Sequence, residues 1–233
     1  MTAKTKLVSA KEFYNEIATN YDEFLSMEKD KIVRDEVKAY FCEQVNKGSM
    51  LDFGGGTGLD LMWLVEAEYQ VYFCEPAEKM REKAIELSQN WSEEKRPIFL
   101  ENPLHNFQNW DKGNLPFKDL NAILMNFGVI NYIENLESLF DLFAQVTNKE
   151  ADLIINLLSI RPQKKYSKLL KNVLKAFVKR ENVKTGSSFN NMQHETTLYS
   201  PKEIEKAAKK FKLVTKKSLG HQSDFTLLHF KKL

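Results

Sequence analysis

The feature that most constrains this chain is a short apolar run that leads into a cluster of glycines. Residues 50–64 read MLDFGGGTGLDLMWL, so residues 50–53 have the character of a buried strand and residues 54–58 that of a turn. Glycine accepts positive φ and leaves main-chain N–H groups open to a ligand that a side chain would shield. The stretch therefore predicts a strand, a ligand-binding loop and a helix, in that order.

Strand-like and helix-like segments alternate along most of the chain, which predicts a parallel sheet covered by helices on both faces. The expected α/β fold is a three-layer α/β/α sandwich with a Rossmann-like, seven-stranded, mostly parallel sheet whose last strand is antiparallel. Ligands of such sheets bind beyond the carboxyl ends of the strands. Strands are predicted at 50–53, 71–74, 97–100, 121–125, 153–160, 211–219 and 224–230, and helices at 11–46, 58–67, 76–89, 135–146 and from about 201.

Length and composition predict one domain over residues 1–233, with an N-terminal helical cap at 1–46. The N-terminus lacks the apolar region of a secretory signal, and no apolar run approaches the ~20 residues that span a bilayer. Two cysteines fit a reducing compartment, so we expect a soluble, cytoplasmic protein. The four histidines have no metal-ligand spacing with the cysteines or one another, and the sequence predicts no metal site.

The glycine cluster does not fit a dinucleotide site. That template, G-x-G-x-x-G, needs a small third residue for close helix packing, yet the two starts at Gly54 and Gly56 reach Leu59 and Leu61. The pattern that fits is D-x-G-x-G-x-G, filled by Asp52, Gly54, Gly56 and Gly58.

With this pattern, the sequence resembles the class I S-adenosylmethionine-dependent methyltransferases. Glu75 ends the second strand, where the family places an acid on the ribose hydroxyls, and residues 76–80 follow as the family's helix start. ILMNFGVINYIENL is similar to the family's fourth strand and the loop after it. FYNEIATNYDEF is similar to the entry helix of many small-molecule members. The resemblance implies S-adenosylmethionine as cofactor, S-adenosylhomocysteine as product and a small-molecule acceptor.

Carried over by position, the resemblance implies that the loop amides hold the methionine part of the cofactor and that Asp52 anchors its amino group. The adenine contact departs from the family, because FLENPLHNF stands where relatives carry G-D-A; Glu101 or Asn102 must then take that role. The cofactor-binding residues expected are Tyr14, Tyr21, Asp52, Gly54, Gly55, Gly56, Thr57, Gly58, Glu75, Pro76, Met80, Glu101, Asn102 and Asn126.

The sequence gives weaker signals for the residues that orient the acceptor or remove a proton from it. Asn131 and Tyr132, after the fourth strand, are expected to orient the acceptor. A general base is needed only if the acceptor loses a proton, and the candidates for this catalytic role are His194, Tyr199 and Tyr21. MNFGV stands where amide and adenine methyltransferases carry N-P-P-[YF], so oxygen or amine nitrogen is the expected target atom.

A basic segment follows the fifth strand. Residues 161–185 hold nine lysines or arginines and one glutamate, although the whole chain carries a formal charge of only +2. Apolar residues at helical spacing predict that residues 161–200 form a basic helical insertion, with a loop at TGSSFNNMQ. Three interpretations stay open: a plain surface helix, a lid that draws in an anionic acceptor through Lys168 and Lys171, or a surface for peripheral membrane or nucleic-acid contact.

Three functions stay open at this stage. The first is methyl transfer to oxygen or nitrogen of a small molecule by in-line displacement. The second is a catalytically silent regulatory or scaffold protein that binds the same cofactor. The third is an NAD-dependent oxidoreductase. Nucleic acid is disfavoured as a partner because no RNA- or DNA-binding module is recognisable. The sequence indicates no oligomeric state.

Overall fold

The computed structural model describes residues 5–111, 113–159, 183–220 and 223–233. Its strands are β1 (Lys6–Leu7), β2 (Ser49–Phe53), β3 (Gln70–Cys74), β4 (Ile98–Phe99), β5 (Leu120–Met125), β6 (Thr147–Leu158), β7 (Val183–Phe189), β8 (Met192–Leu198), β9 (Phe211–Ser218) and β10 (Phe225–Lys232). Its α-helices are α1 (Ala10–Ile17), α2 (Tyr21–Phe24), α3 (Glu28–Gln44), α4 (Leu61–Glu66), α5 (Glu78–Ser88), α6 (Leu136–Val146) and α7 (Pro201–Ala207).

Seven strands form the main sheet, in the order β4-β3-β2-β5-β6-β10-β9. The pairs from β4 to β6 are parallel, whereas β10 runs antiparallel to both β6 and β9. The predicted sheet, with its antiparallel last strand, is confirmed. The order of the strands reverses between β2 and β5, which is the point where such sheets bind ligands.

Helices cover both faces of this sheet, because alternate residues of each strand enter different cores. On β2, Leu51 and Phe53 pack in one core with α6 and α7, while Met50 packs in the other core with α3 and α4. Strands buried on both faces read as continuous apolar runs, which explains the pattern at residues 50–53. The predicted three-layer sandwich is confirmed.

The N-terminal region is helical but broken, unlike the single helix predicted over 11–46. Ser9 caps α1 in a capping box with Glu12. A short 3₁₀ turn at Ala18–Asn20 and α2 follow, and Met27 is extended (φ −63°, ψ 142°) before α3. Ser26 interrupts the helix locally, since its hydroxyl donates to the carbonyl of Glu23 at 2.6 Å.

The predicted helical insertion at 161–200 is wrong for its described part. Residues 183–198 are a β-hairpin, β7 paired antiparallel with β8, and β1 adds a parallel strand to β8. Asn190 and Asn191 both have positive φ (43° and 61°), as a two-residue hairpin turn requires. The sequence signal was the Asn-Asn pair between segments rich in Thr and Ser, which the loop prediction at TGSSFNNMQ misread. Residues 160–182, including Lys168 and Lys171, lie outside the described residues.

Two helix starts lie later than predicted. α4 begins at Leu61 instead of residue 58, because the glycine loop continues through Gly58, whose φ is +84°. α5 begins at Glu78 instead of residue 76, after a bend at Pro76. Both shifts lengthen the loops at the carboxyl edge of the sheet, where the candidate site lies.

Candidate functional site: a cleft at the carboxyl edge of the sheet

A cavity of about 380 Å³ opens at the carboxyl ends of β2, β3 and β5. The loops after these strands form its floor, and α1, Tyr21 and Arg34 close it from the N-terminal side. It lies at the switch point of the strand order, where the topology predicts a ligand. The predicted site residues that line it are Tyr14, Tyr21, Asp52, Gly54, Gly55, Gly56, Thr57, Glu75, Pro76, Met80, Asn126 and Tyr132.

Two glycines of the loop lack a side chain for different structural reasons. A Cβ on Gly55 would lie 2.2 Å from the ring of Phe73 and 2.6 Å from Oδ2 of Asp52, so Gly55 lets the loop pack onto β3. A Cβ on Gly56 faces the cleft, and among the described residues it would meet only Tyr21, at 3.7 Å. Gly58 belongs to the packing side, against Ala84 of α5, and does not line the cavity.

Glu75 is fixed at the tip of β3 by main-chain amides. Its Oε2 accepts from the N–H of Gly56 at 3.0 Å, and its Oε1 accepts from the N–H of Ala77 at 2.7 Å. Burial raises the pKa of Glu75 to about 7, although the two amides and Arg81 act in the opposite direction. Each carboxylate oxygen keeps one lone pair free, so this side chain can still accept hydrogen bonds from a ligand in the cleft.

Asp52 is a buried acid of the cleft whose hydrogen-bonding capacity is not fully used. Its Oδ2 has no hydrogen-bond partner among the residues that the structure describes. Burial raises the pKa of Asp52 well above its usual value, and the nearby Asp60 and Glu75 raise it further. Because a buried carboxylate without a partner is costly, the site favours a ligand that brings a hydrogen-bond donor or a positive charge.

A second acid of the loop, Asp60, anchors a network that the sequence analysis missed. Its Oδ1 accepts from Arg34 Nη1 and from Trp63 Nε1, each at 3.0 Å, and its Oδ2 accepts from Asn126 Nδ2 at 2.8 Å. The Arg34 guanidinium also lies 4.4 Å from the ring centroid of Phe127. Asp60 comes two residues after the glycine pattern, and this position could have identified it as a site residue. Arg34 lies in α3, where no local sequence pattern indicates a functional role.

Tyr14, Tyr21 and Tyr132 form one wall of the cleft, which we call the tyrosine wall. The ring of Tyr14 stands near a right angle to both others, at centroid distances of 5.8 Å to Tyr21 and 5.5 Å to Tyr132. The hydroxyl of Tyr14 donates to that of Tyr132 at 2.6 Å. Burial raises the pKa of Tyr14 and Tyr21, so both hydroxyls stay protonated at neutral pH.

His194 lies behind this wall and does not line the cavity. Its ring centroid is 4.9 Å from that of Tyr132, and its buried Nε2 has no hydrogen-bond partner within the described ranges. Burial lowers the pKa of His194, which keeps the imidazole neutral at pH 7. The structure thus places this candidate base next to the wall without giving it direct access to the cleft.

Two other predicted residues are engaged in structural hydrogen bonds. Asn131 donates to the carbonyls of Leu158 and Thr197 at 2.9 and 2.7 Å and accepts from the N–H of Leu158 at 3.0 Å. Tyr199 donates to the carbonyl of Ile133 at 2.6 Å. Both side chains are buried and neither lines the cavity, so in this arrangement they join the main sheet to the hairpin.

The loop after β4 lines the cleft with residues that the sequence analysis did not single out. Glu101 and Asn102 are exposed and stand outside the lining, which instead contains residues 105–108. The Nδ1 of His105 is buried and has no hydrogen-bond partner from the residues described here by the structure. A turn over residues 102–105 leads from β4 into this lining segment.

Among the described residues, no group of three or more His, Cys, Asp or Glu side chains is arranged to hold a metal ion. The helices that the structure describes include none with the length and apolarity to cross a membrane.

Comparison with known families gives one match that spans most of the chain. Residues 21–215 match the profile of a family described as a methyltransferase domain. None of the curated proteins with which the sequence was compared matches it.

Solved structures share the fold at low sequence identity. The PH0226 protein from Pyrococcus horikoshii OT3 aligns with a TM-score of 0.64 and 15% identity, over 95% of this chain and 99% of that one. A S-adenosylmethionine-dependent methyltransferase from Clostridium acetobutylicum ATCC 824 aligns with a TM-score of 0.61 and 16% identity, over 94% of this chain and 99% of that one. A third structure is the 1,6-didemethyltoxoflavin-N1-methyltransferase of Burkholderia thailandensis, solved with 1,6-didemethyltoxoflavin and S-adenosylhomocysteine. It aligns with a TM-score of 0.65 and 12% identity, over 97% of this chain and 91% of that one.

Proposed function

The chain belongs to the methyltransferase-domain family, and we propose that it transfers the methyl group of S-adenosylmethionine to an oxygen or nitrogen atom of a small molecule. S-adenosylmethionine is the cofactor of this family, and it supplies a methyl group on a positively charged sulfur. We further propose that residues 1–233 form a single domain, since β1 near the N-terminus pairs with β8 late in the chain.

The observation that carries the proposal is the unpartnered Oδ2 of Asp52 in an acid-lined cleft. The amino-acid end of the cofactor carries an ammonium group, which is a donor of the charge and kind that this carboxylate lacks. Arg34, held by Asp60 and Phe127, can meet the carboxylate at the same end of the cofactor with the N–H groups that Asp60 does not use.

Other residues of the cleft fit the remaining parts of the cofactor. Glu75 can accept from both ribose hydroxyls while it keeps its bonds to the amides of Gly56 and Ala77. Met80 and Phe107 offer apolar surface for a base, and His105 offers a polar nitrogen without a partner. The adenine contact first assigned to Glu101 or Asn102 is therefore better supported at residues 105–108.

The chain's own contribution is to hold and align the two reactants. Alignment alone can lower a barrier by on the order of 7–11 kcal/mol. Tyr132 can orient an acceptor, because its hydroxyl accepts from Tyr14 and keeps its own proton for a further bond. His194 stays a candidate for the removal of a proton only through Tyr132, since it does not reach the cleft. The idea of an anionic acceptor depends on Lys168 and Lys171, which lie outside the described residues.

The two alternative functions differ in how well the cleft supports them. A nicotinamide dinucleotide would place a pyrophosphate near Asp52, Asp60 and Glu75, where three carboxylates disfavour negative charge. A silent cofactor-binding protein would use the same cleft, so geometry does not separate it from an enzyme.

The test combines binding with turnover. Calorimetric titration with S-adenosylmethionine, S-adenosylhomocysteine and NADH should give binding for the first two ligands only. Incubation with S-adenosylmethionine and a panel of small amines, alcohols, phenols and carboxylic acids should then release S-adenosylhomocysteine for some members. Binding without release over a broad panel would favour the silent protein, and binding of NADH alone would overturn the proposal.

A further inference from the structure

A chain of hydrogen-bonded side chains runs from the interior of the main sheet to the cleft, and it begins at Asn156 of β6. The Nδ2 of Asn156 donates to Oδ1 of Asn126 at 2.9 Å, and the Nδ2 of Asn126 donates to Oδ2 of Asp60 at 2.8 Å. Asp60 in turn accepts from Nη1 of Arg34 at 3.0 Å. The last three of these residues line the cavity, whereas Asn156 is fully buried and does not.

The partners of Asn126 fix the orientation of its amide. Its Nδ2 faces the carboxylate of Asp60, and its Oδ1 accepts from the N–H of Phe127 at 2.9 Å. A carboxylate that is paired with a guanidinium only accepts and a main-chain N–H only donates, so one orientation of the amide satisfies both. The oxygen of Asn126 therefore faces Asn156, which has to present its NH₂ group.

Asn126 also holds both groups that contact the Arg34 guanidinium. One is Asp60; the other is Phe127, whose ring centroid lies 4.4 Å from the guanidinium carbon. Phe127 has a φ of 49°, a backbone conformation that costs free energy for any residue with a side chain. The bond from its N–H to Asn126 stabilises this conformation, and the N–H of the following Gly128 donates to the carbonyl of Asn156 at 2.9 Å.

Stability alone does not account for an asparagine at position 156. The side chain lies in a strand between the buried Ile155 and Leu157, and its own Oδ1 is buried with no hydrogen-bond partner in the part of the chain that the structure describes. An unpaired buried amide oxygen costs free energy that a leucine of similar size would not. The one directed bond that Asn156 makes leads to the cleft.

We propose that Asn156 is a positioning residue for the cofactor. Through Asn126 it fixes the two groups that orient the Arg34 guanidinium toward the carboxylate at the amino-acid end of the cofactor. This inference rests on the proposed function, in which Arg34 meets that carboxylate, and extends it to a residue that does not touch the ligand.

Two ligands that differ by one carboxylate test this role. Decarboxylated S-adenosylmethionine keeps the adenosyl group, the sulfonium and the amine, and lacks only the group that Arg34 is proposed to bind. Asn156→Leu keeps the size of the side chain and removes the donor. The matched control Thr226→Val removes a buried hydrogen bond to Ser159, which lies near the same end of β6 and outside the chain of bonds. Calorimetric titration measures the affinities, and thermal melting shows that each variant is folded.

For Asn156→Leu, the affinity for S-adenosylmethionine should fall about 3- to 30-fold, while that for the decarboxylated ligand stays within about twofold. Thr226→Val should keep both affinities. If the leucine variant does not fold, Asn156→Ala removes the same donor without the added branches, and the same result is expected from it.

A double-mutant cycle with Arg34→Met shows whether Asn156 acts through Arg34. Arg34→Met alone should weaken S-adenosylmethionine selectively, and the addition of Asn156→Leu should then cause no further loss. Equal losses for the two ligands, additive losses in the cycle, or no loss in Asn156→Leu would overturn the inference. If the wild-type protein bound neither ligand, the proposed function itself would fail.

Discussion

At the scale of single residues, the site is defined by one carboxylate that is satisfied and one that is not. Glu75 accepts from two main-chain amides, whereas the buried Oδ2 of Asp52 has no partner in the described part of the chain. A fold that retains such a group gives up stability at that position. We interpret Asp52 as a group whose partner arrives with the ligand.

The role of Asp52 can be tested with ligands that differ only at the amino-acid end. Asp52→Asn should weaken S-adenosylmethionine about 10- to 100-fold, the range expected for a lost hydrogen bond to a charged group. 5′-Methylthioadenosine, which lacks the amino-acid end, should bind the variant as it binds the wild type. Calorimetry with both ligands measures the difference. If both ligands weakened equally, Asp52 would act on the shape of the loop and not on the ammonium group.

Residue types near the glycine pattern were predictable, but partners from distant segments were not. Asp52 lies near the end of β2, Glu75 and Met80 follow the end of β3, and all three line the cavity. Arg34 and His105 also line it, yet each reaches the cleft only through tertiary packing. A single sequence contains no local signal for such an approach.

At the scale of elements, buried strands were the easiest to locate and the hairpin the hardest. β2, β3 and β5 are apolar on both faces and follow clear turn signals. β7 is largely exposed, so it lacks the apolar alternation that identifies a strand. Its neighbour β8 buries alternate residues, including His194 and Thr196, which are polar and conceal the pattern.

Asn131, predicted to orient the acceptor, instead connects secondary-structure elements. Its side chain joins the loop after β5 to the end of β6 and to β8 through three hydrogen bonds. Asn131→Ala should lower the free energy of unfolding by about 1–3 kcal/mol, because buried backbone groups lose their partners. Cofactor affinity should change little.

Chemical denaturation of this variant, beside the exposed control Asn90→Ala, measures the effect. A loss of turnover with no loss of stability would contradict the structural role and would support the original prediction that Asn131 orients the acceptor.

At the scale of the whole molecule, the cleft concentrates buried acids whose protonation is linked to folding. The pKa of Glu75 is about 7 in the folded protein, raised by burial from 4.5, so the folded state holds this proton more tightly than the unfolded state does. The stability from this group is fully present below about pH 4.5 and is lost as the pH rises through about 7. The raised pKa of Asp52 likewise makes the folded state less stable as the pH rises.

The cofactor-free protein should therefore lose stability between about pH 5 and 8, by on the order of 3 kcal/mol from Glu75. Glu75→Gln lacks the titrating group and should show a smaller decline over the same range. Thermal melting of both proteins across this range measures the difference. Parallel profiles would show that the proton on Glu75 is not linked to folding.

The overall architecture was predictable because it depends on patterns that repeat along the chain. Alternating apolar and helical segments predicted the three layers, and the close spacing of the last two strands predicted that they pair antiparallel. The small sheet of β1, β8 and β7 was not predictable in this way, because it joins segments far apart in the sequence.

That parallel pairing of β1 with β8 has a consequence for how the protein refolds. The amide of Lys6 donates to the carbonyl of Asn191 and that of Val8 to Gln193, across more than 180 positions of chain. Contacts between such distant segments close slowly because of their loop entropy. We therefore expect the aromatic side of the cleft to assemble late, so that ligand uptake by a refolding chain should follow the formation of the central sheet and mark the completion of folding.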